Sequence, residues 1–267
     1  MPTQQVNGAD IHYEREGSGP PLVMVHGSWG DSTGWLLTAP ILAERFEVIT
    51  YDRRGHGQST APPGQGRRSE DEDDLVGLVE ALRLSPANVS GNSFGASIVL
   101  GAAARRPEVF TRVSGHEPPL LRFADAVAPD LVEEQRGLMG QVYALLEEGR
   151  TAEGAESFVD NVAFGPGAWQ ELPDPVQQLF LRHAATFLDE GRDPDWDDLD
   201  VDGLAAYPGR VLVSQGAESL PWFWKVIDVL AERVPTIERT TMEQAGHVPQ
   251  MTNPAELAAL LTEFFES

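Results

Sequence analysis

The chain has 267 residues and is 41% hydrophobic, which suffices for one large domain with an insertion or for two small ones. It contains no cysteine, which excludes disulfides and thiolate zinc sites. A formal net charge of -23 argues against nucleic acid and anionic membranes as partners. The first residues lack a basic region followed by an apolar run, and no window approaches the ~20 apolar residues of a membrane span. We therefore expect a cytoplasmic protein with no membrane partner.

Short apolar segments alternate with helical patterns in the first half of the chain and again near its end. Asn7-Gly8 separates two short strands at Val6 and 11–14, which predicts a hairpin. A continuous apolar run such as 21–25 is typical of a strand that is buried on both faces. The other predicted strands are 46–50, 87–90, 109–115, 210–214 and 237–241. This alternation predicts an α/β fold with a doubly wound, mostly parallel, eight-stranded sheet.

The pattern changes to helices alone between about Leu120 and Tyr207. Helices are predicted over 132–148, 151–162 and 174–188, and no strand-like run interrupts them. An all-helical insertion in an alternating fold is most simply a cap over one end of the sheet. We therefore predict a core domain of residues 1–119 and 208–267 with a helical cap of residues 120–207. A second, independent helical domain is the less favoured alternative, because the chain returns to the sheet afterwards.

The pentapeptide Gly91-Asn92-Ser93-Phe94-Gly95 carries the clearest chemical information in the chain. It lies between the predicted strand 87–90 and a small-residue helical segment. A serine at such a sharp strand-to-helix turn is presented to solvent, and its flanking glycines let two backbone segments pass close together. The helix N-terminus behind it favours developing negative charge. Ser93 is therefore a candidate nucleophile, provided that the rest of the chain supplies its partners.

A serine hydroxyl becomes a good nucleophile only when a base removes its proton. The candidate base is His247, which follows Gly246 in the loop after the last predicted strand. An oxyanion hole needs two backbone N–H donors near the nucleophile. We assign them to Phe94, directly after the serine, and to Ser28, in the glycine-rich turn after an early strand. A structural turn between strand and helix is the alternative interpretation of that second segment.

With these motifs in place, the chain resembles the α/β-hydrolase superfamily over essentially its whole length. The matching motifs, in chain order, are His26-Gly27, Tyr51 to Ser59, the Gly91 to Gly95 turn, and Gly246-His247. The resemblance implies a Ser-His-acid triad and a helical cap inserted after the sixth strand. It also implies that Asp52 and Arg53, in the second motif, form a structural turn rather than catalytic groups.

The acid of the implied triad departs from the usual pattern. Most such proteins have Gly-x-x-Asp after the penultimate strand, whereas this chain has Ser219 at the aspartate position. Glu218 is one residue early, and Glu117 directly follows the sixth strand, a location that some superfamily members use for the acid. Both candidates lie at the carboxyl ends of strands, where sites of open α/β sheets gather. We prefer Glu117, while Glu218, another acidic residue and a Ser-His dyad stay open as alternatives.

Aromatic residues are plentiful where a cap would meet the sheet, which predicts an apolar pocket for an uncharged small molecule. We assign Trp29, Phe123 and Trp222 to its walls, with plain cap and core packing as the alternative. The preferred function is hydrolysis of a small neutral apolar ester or lactone through an acyl-enzyme on Ser93.

Two other functions stay open on the same fold. Carbon–carbon bond hydrolysis usually needs a basic residue, for which Arg122 and Arg182 are the candidates. A non-hydrolytic ligand-binding or isomerising protein is the other, motivated by the missing aspartate. No cofactor and no metal site are expected, since no His/Asp/Glu cluster has ligand spacing. The sequence does not determine the oligomeric state, and a homo-oligomer is one of the states left open.

Overall fold

A computed structural model of the protein describes residues 2–62 and 66–267. Residues 1 and 63–65, which the sequence analysis assigned to the core domain, lie outside the described residues. Over the described ranges, the chain forms one eight-stranded sheet in the order β1-β2-β4-β3-β5-β6-β7-β8. The strands are β1 Thr3–Val6, β2 Ala9–Gly17, β3 Pro21–Val25, β4 Glu47–Tyr51, β5 Ala87–Asn92, β6 Phe110–His116, β7 Arg210–Gly216 and β8 Ile237–Met242.

The sheet confirms the predicted α/β architecture. The two pairs at its β1 edge, β1 with β2 and β2 with β4, are antiparallel, and the remaining pairs are parallel. The first of these pairs is the hairpin expected around Asn7-Gly8. Both faces of the central strands are buried, because Val23 and Val25 pack into one hydrophobic cluster while Leu22 and Met24 pack into another. This explains the continuous apolar runs in the sequence.

Helices cover both faces of the sheet and the carboxyl ends of its strands. They are α1 Ala39–Leu42, α2 Arg68–Ala81, α3 Phe94–Arg105, α4 Pro129–Glu147, α5 Thr151–Phe158, α6 Ala168–Glu171, α7 Asp174–Arg182, α8 Ala184–Arg192, α9 Val201–Ala205, α10 Pro221–Arg233, α11 Pro249–Thr252 and α12 Pro254–Glu266. No helix in the described part of the chain combines the length and apolar character needed to cross a membrane.

Helices α4 to α9 lie in the segment between β6 and β7, where the sequence predicted helices only, and these helices are called the cap below. Two of the predicted helices are interrupted within or at the end of their predicted ranges, and α6 and α9 lie outside the predicted helices. The helix expected over 151–162 changes after α5 into a π-helical turn, Val159–Ala163. The helix expected over 174–188 is interrupted at His183, whose Nδ1–H donates to the carbonyl of Trp29 (3.2 Å) and whose Nε2 accepts from the Gly57 N–H (3.0 Å). These contacts with the core hold His183 between two shorter helices.

Candidate active site

Ser93 lies at the sharp turn between β5 and α3. Its backbone has φ of 56° and ψ of -125°, a conformation that is strained for a residue with a side chain. The flanking glycines are required by close packing, because a Cβ on Gly91 would overlap the backbone of Gly95, and one on Gly95 would overlap the carbonyl of Val25. The turn thus places the Ser93 hydroxyl at the carboxyl end of the sheet, as the sequence predicted.

Three of the predicted residues meet in one hydrogen-bonded line. The Nε2 atom of His247 lies 3.0 Å from Ser93 Oγ, and its Nδ1 atom lies 2.7 Å from Glu117 Oε2. The second carboxylate oxygen, Oε1, accepts the Gly216 N–H at 2.7 Å. This is the geometry of a nucleophile, a base and a carboxylate that orients the base.

The position of Glu117 follows from its place at the end of β6. Its backbone has φ of 50°, its N–H donates to the carbonyl of Ser214 (3.0 Å), and its side chain is fully buried. Burial raises the pKa of Glu117, but the hydrogen bond from His247 and the adjacent His116 outweigh it, so that the pKa lies below its usual range. Glu218, the alternative acid, is exposed, and its N–H donates to the carbonyl of Ala245. The structure therefore brings Glu117, and not Glu218, to His247.

Asn92, the residue before the serine, fixes the loop that carries His247. Its Nδ2 donates to the carbonyl of His247 (2.8 Å), and its Oδ1 accepts from Gln250 Nε2 (3.0 Å). Asn92 is buried, so these bonds are protected from water. Sequence reasoning passed over this residue, because the second position of the pentapeptide carries no signal of a partner 155 residues away.

The two predicted oxyanion donors both reach the neighbourhood of Ser93. Ser28 and Phe94 border the same cavity as the serine, and within residues 2–62 and 66–267 neither backbone N–H has a protein acceptor. Gly27 makes the close approach possible, since a Cβ there would lie 3.0 Å from Ser93 Cβ. Two free N–H groups beside a nucleophile are the arrangement that stabilises an oxyanion.

A cavity opens onto Ser93 and His247. Trp222 lines it, as predicted, together with Phe223, whose ring stacks on the imidazole of His247 at 4.4 Å. The cap contributes most of the remaining apolar wall, including Met139, Tyr143, Phe158, Val162, Ala163 and Phe187. The π-helical turn after α5 supplies two of these side chains.

Two predicted wall residues lie elsewhere. Trp29 is buried beneath the cap, where its ring stacks on Phe187 at 4.6 Å and packs against Phe158 at 5.2 Å. Phe123 packs in the core with the guanidinium of Arg233 5.2 Å from its ring centre. Neither borders the cavity, and Trp29 lies behind Phe158 and Phe187, which do.

The only acidic side chain on the cavity wall, within the residues that the structure describes, is Glu190 of α8. It is buried, its Oε2 accepts the Ser28 hydroxyl at 2.5 Å, and its Oε1 accepts Arg53 Nη2 at 2.7 Å. Arg53 is also paired with Asp71 at 2.9 Å, so two carboxylates share one guanidinium. Burial raises the pKa of Glu190 more than Arg53 and Ser28 lower it. Sequence reasoning missed Glu190, since nothing in the cap sequence marks it as a partner of Ser28.

The arginines proposed for carbon–carbon hydrolysis do not reach the cavity. Arg122 pairs with Asp197 (3.3 Å) and Asp198 (2.8 Å), and Arg182 is exposed on α7. No lysine or arginine borders the cavity among the described residues. Over those same residues, no group of three or more His, Cys, Asp or Glu side chains could hold a metal ion.

Comparison with known proteins agrees with the fold and with the motifs. A model of the alpha/beta hydrolase family matches residues 22–260, and the chain therefore belongs to that family. A 2-hydroxymuconate semialdehyde hydrolase of Pseudomonas sp. (strain CF600) is 30% identical over 96% of this chain and 90% of its own length. The crystal structure of an alpha/beta hydrolase from Sphaerobacter thermophilus DSM 20745 is similar with a TM-score of 0.81 and 30% identity, covering 99% of this chain and 100% of that one.

A further relative matches more closely over a shorter stretch. An uncharacterized hydrolase of Bacillus subtilis (strain 168) is 43% identical over 122 residues, which is 45% of this chain and 45% of that protein. The match thus spans less than half the length of this relative. Together with the family model, these comparisons confirm the resemblance that the four motifs indicated.

Proposed function

We propose that the protein is a serine hydrolase that cleaves a small, neutral, apolar ester or lactone through an acyl-enzyme on Ser93. The observation that carries this proposal is the line of hydrogen bonds from Ser93 through His247 to Glu117, in which Ser93 and His247 border an apolar cavity. A nucleophile with its base and orienting acid, beside two free N–H donors, is suited to acyl transfer.

The reaction follows from these positions. As Ser93 Oγ attacks the carbonyl carbon, His247 Nε2 takes its proton, and the negative charge that develops on the carbonyl oxygen is stabilised by the N–H groups of Ser28 and Phe94. Glu117 holds the Nδ1–H tautomer of His247 and stabilises the imidazolium. Collapse of the tetrahedral intermediate expels the alcohol, which receives the proton from His247. Water then repeats the sequence on the acyl-enzyme and releases the acid.

The cavity wall supports a neutral substrate. Its surface is mostly apolar, and its one acidic side chain, within the described residues, is Glu190. A substrate carboxylate or enolate would find no lysine or arginine there in the same part of the chain. For this reason we place carbon–carbon bond hydrolysis second, although one relative is named 2-hydroxymuconate semialdehyde hydrolase. A non-hydrolytic pocket loses its main support, because Glu117 provides the carboxylate that position 219 lacks.

The proposal is tested by kcat/KM on p-nitrophenyl acetate and butyrate. We expect turnover by the wild type, none by Ser93→Ala, and a loss of roughly 10³–10⁴-fold in Glu117→Gln, the scale of a triad acid. Glu218→Gln removes a carboxylate from the neighbouring exposed loop and serves as the matched control, with turnover close to wild type. Equal rates for wild type and Ser93→Ala would contradict the proposal. A loss of kcat/KM in Glu218→Gln but not in Glu117→Gln would show that Glu218, and not Glu117, is the acid.

A further inference from the structure

The Ser28 N–H belongs to the loop of residues Gly27–Gly30, here called the oxyanion loop. One face of the cap packs against this loop. Three side chains spaced four and three residues apart, a spacing that places them on one side of a helix, make the contacts. His183 donates to the carbonyl of Trp29 (3.2 Å), the ring of Phe187 stacks on that of Trp29 (4.6 Å), and Glu190 accepts the hydroxyl proton of Ser28 (2.5 Å).

The oxyanion loop needs such support, because its own backbone is strained. Trp29 has φ of 62°, in the left-handed region that a bulky side chain rarely adopts. Conformations of this kind persist only when their surroundings hold them in place. The Ser28 N–H itself is tied to no protein acceptor in the described residues. Contacts outside the loop must therefore fix the direction in which this N–H points.

Glu190 is placed to fix the direction of the Ser28 N–H through both of its carboxylate oxygens. One of its oxygens holds the Ser28 hydroxyl, and the other holds Arg53, whose Nη1 donates to the carbonyl of Gly27 at 3.3 Å. The two residues that begin the oxyanion loop are thus linked to a single carboxylate on α8. Both oxygens of Glu190 accept hydrogen bonds, whereas an amide has a single acceptor oxygen. Gln at this position can therefore accept from Arg53 or from Ser28 but not from both, and with its oxygen on Arg53 it meets Ser28 Oγ only by donating, without the charge.

We propose that Glu190 is a positioning residue of the oxyanion hole. It holds Ser28 through the side-chain hydroxyl, so that the backbone N–H faces the oxygen of the carbonyl group whose carbon Ser93 attacks. Because Glu190 lies on α8, this geometry depends on how the cap packs against the oxyanion loop. The proposal rests on the function proposed above. It predicts that Glu190 and the Ser28 hydroxyl act through one shared contact, although neither touches the reacting atoms.

A double-mutant cycle tests this dependence on p-nitrophenyl butyrate. We expect Glu190→Gln and Ser28→Ala, which keeps the backbone N–H, each to lower kcat by about tenfold or more, with KM within about threefold of wild type. Since both changes act on the same Glu190–Ser28 contact, kcat of the double variant should be no lower than that of the more impaired single variant. Asp189→Asn is the matched control, because it removes the same charge from the same helix at a surface pair with Arg192, and it should keep wild-type kcat.

Losses that multiply in the double variant, or a change in KM alone, would overturn the proposal. A wild type no faster than Ser93→Ala would instead overturn the proposed function. Hydrogen exchange keeps the positioning claim testable in that case. The peptide that covers the oxyanion loop should exchange faster in Glu190→Gln and Ser28→Ala than in Asp189→Asn. Equal exchange in all three variants would show that Glu190 does not hold the loop.

Discussion

At the end of β6, two adjacent side chains are buried in opposite ionisation states. Glu117 has a lowered pKa and faces His247, whereas burial above all lowers the pKa of His116 to about 4, against the attraction of Glu117. His116 is satisfied as a neutral ring, since its Nε2–H donates to the carbonyl of Gly246 (3.1 Å) and its Nδ1 accepts from Ser214 Oγ (2.9 Å). The fold thus keeps a neutral imidazole beside the carboxylate that is hydrogen-bonded to His247.

This neutral histidine makes the stability depend on pH. The unfolded chain binds the proton with a pKa near 6.5 and the folded chain only near 4, so the stability that His116 contributes is present above pH 6.5 and is lost as the pH falls toward 4. At a pH of about 5 the loss is about 2 kcal/mol. Gln at position 116 keeps an N–H donor and does not titrate.

We therefore expect the Tm of wild type to fall further than that of His116→Gln between a pH of about 7.5 and a pH of about 5, by several degrees. Differential scanning calorimetry in matched buffers measures the two curves. Other groups that titrate in this range are common to both proteins and cancel in the comparison. Parallel curves would show that His116 already carries a proton when folded, or never gains one on unfolding.

At the scale of elements, β6 and β7 are neighbouring parallel strands whose ends both serve the site. Glu117 follows β6, and its Oε1 accepts the N–H of Gly216 at the end of β7, which ties the two loops together. Ser219 stands in the second loop, at the position where the resemblance places the acid. In this chain the carboxylate that contacts His247 therefore follows β6, and not β7.

The equivalence of these two strand ends predicts a rescue. In a Glu117→Gln background, Ser219→Asp should restore kcat/KM on p-nitrophenyl butyrate by about tenfold or more over Glu117→Gln alone, because an acid again reaches His247. Ser219→Asn in the same background has nearly the same size without the charge and is the control. If Ser219→Asp and Ser219→Asn gave the same rate in this background, a carboxylate in the loop after β7 would not replace Glu117, and the predicted equivalence would be wrong.

How much the sequence predicts differs between elements. The strands are predicted to within a few residues, since runs such as 21–25 must be apolar to lie buried on both faces. The interruption of the helix at His183 was not predicted, because it depends on bonds to Trp29 and Gly57, which are distant in sequence. Local periodicity describes which face of a helix is apolar and says nothing of a contact made across the cap.

The same limit applies within the site. Ser93 and His247 follow from local motifs, whereas the choice between Glu117 and Glu218 depends on which carboxylate is buried, and burial is a property of the assembled loops. Composition placed aromatic rings near the cavity but not their directions, so Trp29 was assigned to a wall that it does not reach. Glu190, which does reach that wall, carries no sequence signal.

At the scale of the whole molecule, the net charge and the cavity wall both disfavour anionic substrates. The formal charge of -23 repels anions at long range, and among the described residues no lysine or arginine borders the cavity to attract them. At low salt we expect kcat/KM for mono-p-nitrophenyl succinate to be about tenfold or more below that for p-nitrophenyl butyrate. Raising NaCl from about 20 mM to about 500 mM should narrow this gap, because the Debye length shortens and screens the long-range part.

The neutral ester is the internal control, since its kcat/KM should change little with salt. A succinate ester that is cleaved as fast as the butyrate ester at low salt would contradict the assignment of a neutral substrate. A gap that salt leaves unchanged would assign the selectivity to the cavity wall alone.

The central claim is that Ser93 is a nucleophile activated by His247 and Glu117, and covalent labelling tests it without knowledge of the natural substrate. The measurement is the rate and site of modification by diethyl p-nitrophenyl phosphate, followed by intact mass and peptide mapping. We predict one diethylphosphoryl group per chain, on Ser93, with one equivalent of p-nitrophenolate released and a much slower reaction in Glu117→Gln. A label on another residue, or Ser93→Ala labelled at the wild-type rate, would contradict the account.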